Sequence, residues 1–230
     1  MVRVACCWDD GVATDVRLTE LLRKYEAKAT FNLCPGFMKE KRDDSRWHKL
    51  MPGGGVIAGF HGFEAGYVGL HEIKDIYGDF CVASHGWNHL NAGKVPDEDF
   101  LKDALDARHY LEDVFQRSCP GFAWPCGYVT PETENLLRNA GFLYARTVNN
   151  TDSVGKNGSF LRLDSSCHYQ DCRWGEKFEA AKKAGGIFYF WGHSYEMMDC
   201  DGLWRQLEDK LALLHDDPEA EWIDVCQIVQ

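Results

Sequence analysis

The sequence predicts an α/β protein whose parallel strands close into a barrel, and three observations carry that prediction. Strand-like apolar runs of about four to seven residues alternate with stretches of helical periodicity along nearly the whole chain. The runs number seven or eight, which favours a closed, distorted parallel β/α barrel over an open doubly wound sheet. No Gly-x-Gly-x-x-Gly and no phosphate loop follows the first run, which lowers the dinucleotide and nucleoside-triphosphate readings. At 230 residues the chain suits one domain with a substantial core, and residues 1–230 are read as that single domain.

The first strand, residues 2–8, is apolar apart from Arg3 and ends at Asp9-Asp10-Gly11. Successive strand side chains point to opposite faces, so both carboxylates can serve one site only where the chain is turning, which Gly11 permits. Residues 12–28 read as a helix, with Val16, Leu18, Leu21, Leu22 and Tyr25 at helical spacing and Asp15 helping to cap its start. Residues 29–33 form a second strand stopped by Pro35-Gly36. A charged piece, 39–46, leads into a glycine- and aromatic-rich insertion at about 48–70 that holds His61 and Glu64. Aromatics there need something to pack on, so an ordered loop or hairpin over one end of the fold is expected. A helical turn at 72–77 precedes the third strand, 80–83, which delivers Ser84-His85-Gly86-Trp87-Asn88-His89.

The clearest helix spans 96–116, with Asp97 as cap and Phe100, Leu101, Leu105, Tyr110, Leu111 and Val114 on one face. The fourth strand, 122–124, ends at Pro125-Cys126-Gly127; a helix over 131–139 starts with proline and stops before Gly141. Residues 142–147 make the fifth strand, carrying Arg146 at its end, and 160–163 the sixth. A helix at 176–184 leads to the seventh strand, 186–191, and to Gly192-His193-Ser194-Tyr195-Glu196. The last helix, 202–215, is followed by a final strand at 222–225.

A formal net charge of −11 argues against nucleic acid or an anionic membrane as partner and favours neutral or amine-bearing substrates. The first residues lack the basic segment and long apolar core of a secretory signal, and nothing approaches a membrane span. Of the ten cysteines, Cys6, Cys7, Cys81 and Cys226 lie in strand-like runs where a free thiol behaves as a small hydrophobe. A reducing compartment and a cytoplasmic location are expected. Oligomeric state is not legible in the sequence.

Four strands end in site-like residues: Asp9 and Asp10 after the first, His85 and His89 after the third, Arg146 at the fifth, His193 after the seventh. In a parallel barrel all strand C-termini lie on one rim, so these residues converge in space. Each alone has a bland reading as a cap, a surface group or a core histidine; their joint position at strand ends is what argues for a site. Two histidines four apart plus one carboxylate make a three-ligand set for a borderline divalent cation with positions open to water and substrate. The spare carboxylate and His193 would then supply a base and an acid, a set suited to hydrolysis of an acyl bond.

The motifs Cys6-Cys7-Trp8-Asp9-Asp10-Gly11, Ser84-His85-Gly86-Trp87-Asn88-His89, Phe122-Ala123-Trp124-Pro125-Cys126-Gly127 and Trp191-Gly192-His193 resemble, in order and spacing, those of the NodB-homology polysaccharide deacetylases, carbohydrate esterase family four. The resemblance covers residues 4 to about 194 and implies a distorted β/α barrel. It implies Asp9 as catalytic base, Asp10, His85 and His89 as ligands of one divalent metal ion, and His193 as catalytic acid. Zinc is the first expectation for that ion, with cobalt, nickel, iron and manganese compatible with the donor set.

One position departs from the family pattern: Ala123 stands where an arginine usually orients the base. A buried carboxylate without a cation beside it is a weaker ionised base, and Arg146, at the end of the next strand, is expected to supply the charge. The family's Asp-containing fourth motif is also not clear, with Asp164 or His168 as occupants of its place. Trp124, Pro125, Cys126, Gly127, Trp191, Tyr195 and His168 are candidate substrate contacts, although aromatics at strand ends are commonly packing. The expected function is metal-dependent removal of acetyl groups from N-acetylated, or O-acetylated, sugars or from a small amide. Metal-independent opening of cyclic amides or ureides on the same fold, and a non-catalytic carbohydrate-binding descendant, are the competing readings.

Overall fold

The computed structural model describes residues 1–48, 62–156 and 158–229. Residues 49–61 of the insertion, His61 among them, lie outside the described residues. Strand β1 (Val2–Asp10) is buried from Val4 to Asp9, as the apolar run after the exposed Arg3 requires. It is flanked by β10 (Ile187–Gly192) on one edge, while β2 (Thr30–Leu33) and β11 (Ala220–Trp222) divide the other, β11 pairing with Val2–Val4 and β2 with Cys7–Asp10. The ladder continues from β2 through β5 (Cys81–Ser84), β6 (Gly121–Ala123) and β7 (Tyr144–Asn150) to β8 (Leu163–Ser165), and from β10 to β9 (Cys167–His168). Every pairing in this sheet is parallel. Between β8 and β9 the curl is bridged by Ser166, whose N–H donates to Tyr189 O at 2.6 Å and whose Oγ accepts from Tyr189 N–H at 3.1 Å. The result is the distorted parallel β/α barrel that the alternation of runs predicts.

Period-two alternation along the strands separates two cores. Val4, Cys6 and Trp8 face the helical layer with Phe31, Phe188 and Phe190, whereas Ala5 and Cys7 face the barrel interior with Tyr144 and Tyr189. Continuing the second series by two residues per strand brings Asp9, Arg146 and Trp191 onto the interior face, and one further step brings His193. The site residues are therefore the upper continuation of the barrel's own packing pattern.

Helices α1 (Asp15–Lys24), α2 (Ile73–Tyr77), α3 (Asp97–Phe115), α4 (Pro131–Asn139), α5 (Trp174–Lys183) and α6 (Asp201–Asp216) supply the outer layer. The predicted first helix is shorter than expected because Val12 forms an antiparallel bridge with Tyr67. Asp15 does not cap it: its carboxylate is fully buried and accepts hydrogen bonds from Tyr77 Oη at 2.7 Å and Ser194 Oγ at 2.5 Å. Asp97 is the first helical residue of α3 after Pro96 rather than its cap. Helix α4 starts and stops where Thr130-Pro131 and Gly141 place it, with Thr130 as N-cap: its Oγ1 accepts from the Thr133 N–H and its own N–H donates to Thr133 Oγ1.

Two strands differ from expectation. Residues 160–162 form a 3₁₀ turn nucleated by Ser159, whose Oγ accepts from Leu161 N–H, and only then does β8 begin. Residues 225–228 are likewise a 3₁₀ turn, closed by Asp224 and Gln227, after the short β11. The insertion is anchored by an antiparallel pair, β3 (Arg46–Trp47) with β4 (Phe63–Glu64). All ten cysteines are unpaired thiols. Among the described residues no helix is long and apolar enough to cross a membrane.

Candidate active site

The two carboxylates line one cavity because the chain turns at Asp10 itself. Asp10 has φ +81° and Gly11 φ +78°, and a Cβ at Gly11 would lie 2.3 Å from Met38 Cε. Left-handed backbone at a non-glycine residue is strained, and here it swings Asp10 onto the same side as Asp9. Asp9 is 1 % exposed and accepts from Asn32 Nδ2 at 2.7 Å, its partner in the β1–β2 register.

Arg146 forms a direct ion pair with Asp9 Oδ2. It lies on β7 directly opposite Ala123 of β6 in the strand register. The cation thus enters at the same level from the neighbouring strand. The guanidinium stacks over the Trp191 ring, 4.4 Å from its centroid, and Nη1 donates to Thr147 O at 3.3 Å. Burial alone pushes the Asp9 carboxyl up, but Arg146, His85, His193 and the Asn32 hydrogen bond together hold it down at about 2.

His85 follows β5 and is buried, with Nδ1 2.8 Å from Ala123 O. A carbonyl only accepts, so Nδ1 carries the proton and Nε2 presents a lone pair 3.6 Å from Asp10 Oδ1. Burial lowers its pKa to about 4, so the ring is neutral at pH 7. His89 reaches the same place from a loop rather than a helix, at φ +55°, with Nε2 4.0 Å from Asp10 Oδ1 and its ring 4.6 Å from that of His85. The loop is tied to α3: Asp103 accepts from Asn88 N at 2.8 Å, Asn88 Nδ2 at 3.1 Å and Leu90 N at 3.3 Å. Ligand-type atoms of Asp10, His85 and His89 all lie within 4.8 Å of one another. A neutral imidazole with its lone pair turned to a carboxylate and a second imidazole fits a borderline divalent cation.

His193, after β10, points Nε2 at the carboxylates, 3.8 Å from Asp9 Oδ2 and 4.0 Å from Asp10 Oδ2. Its burial would lower the pKa, but the Glu196 hydrogen bond and the charges of Asp10 and Asp9 raise it to about 9. Asp9, Asp10, His85, His89, Trp124, Cys126, Arg146, Val148, Trp191, His193 and Tyr195 together line one cavity of about 260 Å³.

The other sequence candidates divide. Trp124 offers only part of itself to the cavity: it is fully buried, stacked on Phe100 and bonded through Nε1 to Leu161 O at 2.8 Å. Cys126 is exposed on the wall at φ +53°, Pro125 is buried behind it, and the Gly127 N–H is spent on Trp124 O at 2.9 Å. Trp191 has one face covered by Arg146, and Tyr195 packs 4.9 Å from the His193 ring. Asp164 bonds to Thr147 Oγ1, whereas His168 reaches Glu196 at 3.0 Å.

A family model described as polysaccharide deacetylase matches residues 2–145. The chain belongs to the polysaccharide deacetylase family. No curated protein matches the chain significantly in sequence. Among solved structures, a Mycobacterium smegmatis protein assigned to the polysaccharide deacetylases superposes with a TM-score of 0.67 at 15% identity, covering 99% of this chain and 88% of that one. A family 4 acetyl xylan esterase from Clostridium thermocellum in complex with a cobalt ion gives 0.58 at 14% identity, with 98% and 89% coverage. A Streptococcus pyogenes deacetylase, PplD, in complex with acetate gives 0.54 at 18% identity; the match covers 69% of this chain and 61% of that protein's length. These likenesses are of fold.

Against the background of the deacetylase family, three residues that sequence reasoning missed stand out. Asn32 places an amide between Phe31 and Leu33 in the fully buried strand TFNL, and that interruption was its signal. Asp103 is a buried acid within the apolar side of α3. Glu196 follows His193 by three residues, a spacing that could have suggested a turn bringing the two together.

Proposed function

We propose that the protein is a metal-dependent deacetylase acting on N-acetylated sugars, with Asp10, His85 and His89 holding one divalent cation. The observation that carries this reading is the convergence of an arginine-held Asp9, the three-donor set and His193 on one cavity. When bound, the cation would polarise the acyl carbonyl and make a nearby water more acidic; zinc and cobalt both suit two imidazoles and a carboxylate. Asp9, kept ionised by Arg146, accepts the proton of the attacking water. Cys126 lines the cavity, and its backbone N–H is the donor we assign to the developing oxyanion. His193 delivers a proton from Nε2 to the departing nitrogen, so that water and amide become acetate and free amine. Trp191 and Tyr195 border the space left for the sugar.

Metal-independent hydrolysis of a cyclic amide is the weaker reading, since such a site has no use for the lone pair that Ala123 O fixes on His85 Nε2. A non-catalytic sugar-binding role is weaker because base, acid and ligands are all present. The test is acetate release from N- and O-acetylated sugars by protein stripped of metal and reloaded, run beside Asp9→Asn. Metal-restored activity that Asp9→Asn lowers by about 10³-fold is expected. Full activity in chelated, metal-free protein would refute the proposal, and ligand binding unaffected by Asp9→Asn with no turnover in wild type would favour the binding role.

A further inference from the structure

Glu196 is a buried carboxylate with three donors and no assigned task. It sits in the 3₁₀ turn Ser194–Met197 and accepts the His193 N–H at 3.1 Å through Oε2. Its Oε1 lies 3.2 Å from His193 Nδ1, and His168 Nε2 lies 3.0 Å from Oε2. Atoms of His168, His193 and Glu196 fall within 4.8 Å of one another, which taken alone suits a second cation. The hydrogen bonds exclude that use. His168 Nδ1 accepts the Gln170 N–H at 3.3 Å, so the neutral ring's proton is on Nε2, and the nitrogen facing Glu196 is a donor without a lone pair to offer. The contrast with His85, whose Nδ1 faces a carbonyl, is complete.

The arrangement is built in from the neighbouring strands. β9 and β10 run side by side with Trp191 in register with His168, and the two rings meet edge to face at 4.9 Å. Gly192 allows this approach: a Cβ there would sit 2.2 Å from Tyr169 Cδ1 and 3.3 Å from His168 Nε2. Any larger residue between Trp191 and His193 would push His168 off the carboxylate.

We infer that Glu196 is a positioning residue for His193 and that His168 in turn positions Glu196. This rests on the reading of His193 as the proton donor to the leaving nitrogen. With Nδ1 committed to Glu196, the ring has one orientation, and Nε2 is the nitrogen that faces Asp9, Asp10 and the cavity. His168, which touches neither carboxylate of the Asp9-Asp10 pair, occupies the second oxygen of Glu196 and prevents that carboxylate from turning away.

The experiment compares wild type with Glu196→Gln, Glu196→Asp and His168→Ala on two substrates, an N-acetylated amino sugar and an activated aryl acetate whose phenolate departs without a proton. Metal content and the ring-nitrogen NMR shifts of His193 are measured on the same samples. Glu196→Gln should lower kcat on the amide by about 100-fold or more, leave KM and metal content near wild type, and affect the aryl ester by only a few-fold. Glu196→Asp should recover part of the amide rate, and His168→Ala should cost about three- to tenfold on the amide alone. The His193 Nδ1–H signal should lose its hydrogen-bonded shift in Glu196→Gln. Equal losses on amide and aryl ester, or an unchanged amide rate, would overturn the inference. A wild type that releases no acetate from either substrate would instead remove the deacetylase reading, and an Nδ1–H shift that survives Glu196→Gln would overturn the positioning of His193 whatever the activity.

Discussion

Arg146→Met removes the guanidinium while keeping apolar length, and it isolates what keeps Asp9 ionised. Both partners are 1 % exposed and form a direct pair. Unit charges about 4 Å apart at an effective dielectric of about 20 interact by about 4 kcal/mol, equivalent to about three pKa units. Asp9, held at about 2 with the arginine present, is therefore expected near about 5 in the variant, and higher if burial acts at greater strength. In wild type the depressed pKa contributes stability above the unfolded value of about 3.9 and loses it as pH falls toward 2. In the variant the pKa stands above the unfolded value, so the sign reverses and ionisation costs stability as pH rises through about 4 to 5. Breaking a buried pair by removing one partner costs about 3–5 kcal/mol, or roughly 10 °C in Tm for a domain of this size. The assay is kcat/KM from pH 4 to 9 with thermal unfolding alongside. An acid limb appearing near pH 5 and a lowered Tm are expected. A profile superimposable on wild type would refute the role given to Arg146. Because Ala123 faces Arg146 across the β6–β7 register, the exchange Ala123→Arg with Arg146→Ala should recover activity relative to Arg146→Ala alone.

Asp15 offers a stability prediction of opposite sign from that of Asp9. Burial raises its pKa to about 7, against hydrogen bonds from Ser194 and Tyr77 that lower it, so the folded protein holds a proton that the unfolded chain has lost above about pH 4. The Asp15 contribution should fall by about 4 kcal/mol between pH 4 and 7 and level off above; Asp15→Asn should lack that fall, and a wild-type minus variant difference in urea unfolding that stays constant from pH 4 to 8 would contradict it. Asp103→Ala should leave two backbone amides and the Asn88 amide of the His89 loop without their acceptor and weaken metal binding by about 10–100-fold, measured by competition with a chelator; unchanged affinity would separate the loop's order from the donor set.

The sequence carried the barrel and its rim because both depend on repeated local signals: buried runs, helical periodicity, and polar residues where runs stop. Arg146 was legible for the same reason, as a charge at the end of an apolar strand. What escaped was short or tertiary. β9 has two residues, too few to show any period, and the apolar pair Phe160-Leu161 reads the same whether it lies in a strand or a 3₁₀ turn. Asp15 looked like a cap because an acid at a helix start ordinarily meets solvent; here Tyr77 and Ser194, distant in sequence, enclose it. Asp103 lay hidden among apolar helix positions, since nothing local reveals that the His89 loop folds back onto it.

The division of labour we propose between the histidines has the same origin, and it rests on what each Nδ1 touches. His85 Nδ1 meets the Ala123 carbonyl, whose oxygen can only accept, and burial keeps the ring neutral. Its Nε2 must then present a lone pair, the requirement of a metal ligand. His193 Nδ1 meets an ionised carboxylate, and Glu196 with Asp10 and Asp9 favours the charged ring over the neutral one. Its Nε2 must then carry a proton, the requirement of an acid. Exchanging only the two partners, a carbonyl for a carboxylate, would exchange the roles without changing either histidine. Residue type and spacing place histidines on the rim, but the atom behind each ring decides whether its Nε2 is suited to hold a cation or to donate a proton, and those atoms come from β6 in one case and from the turn after β10 in the other.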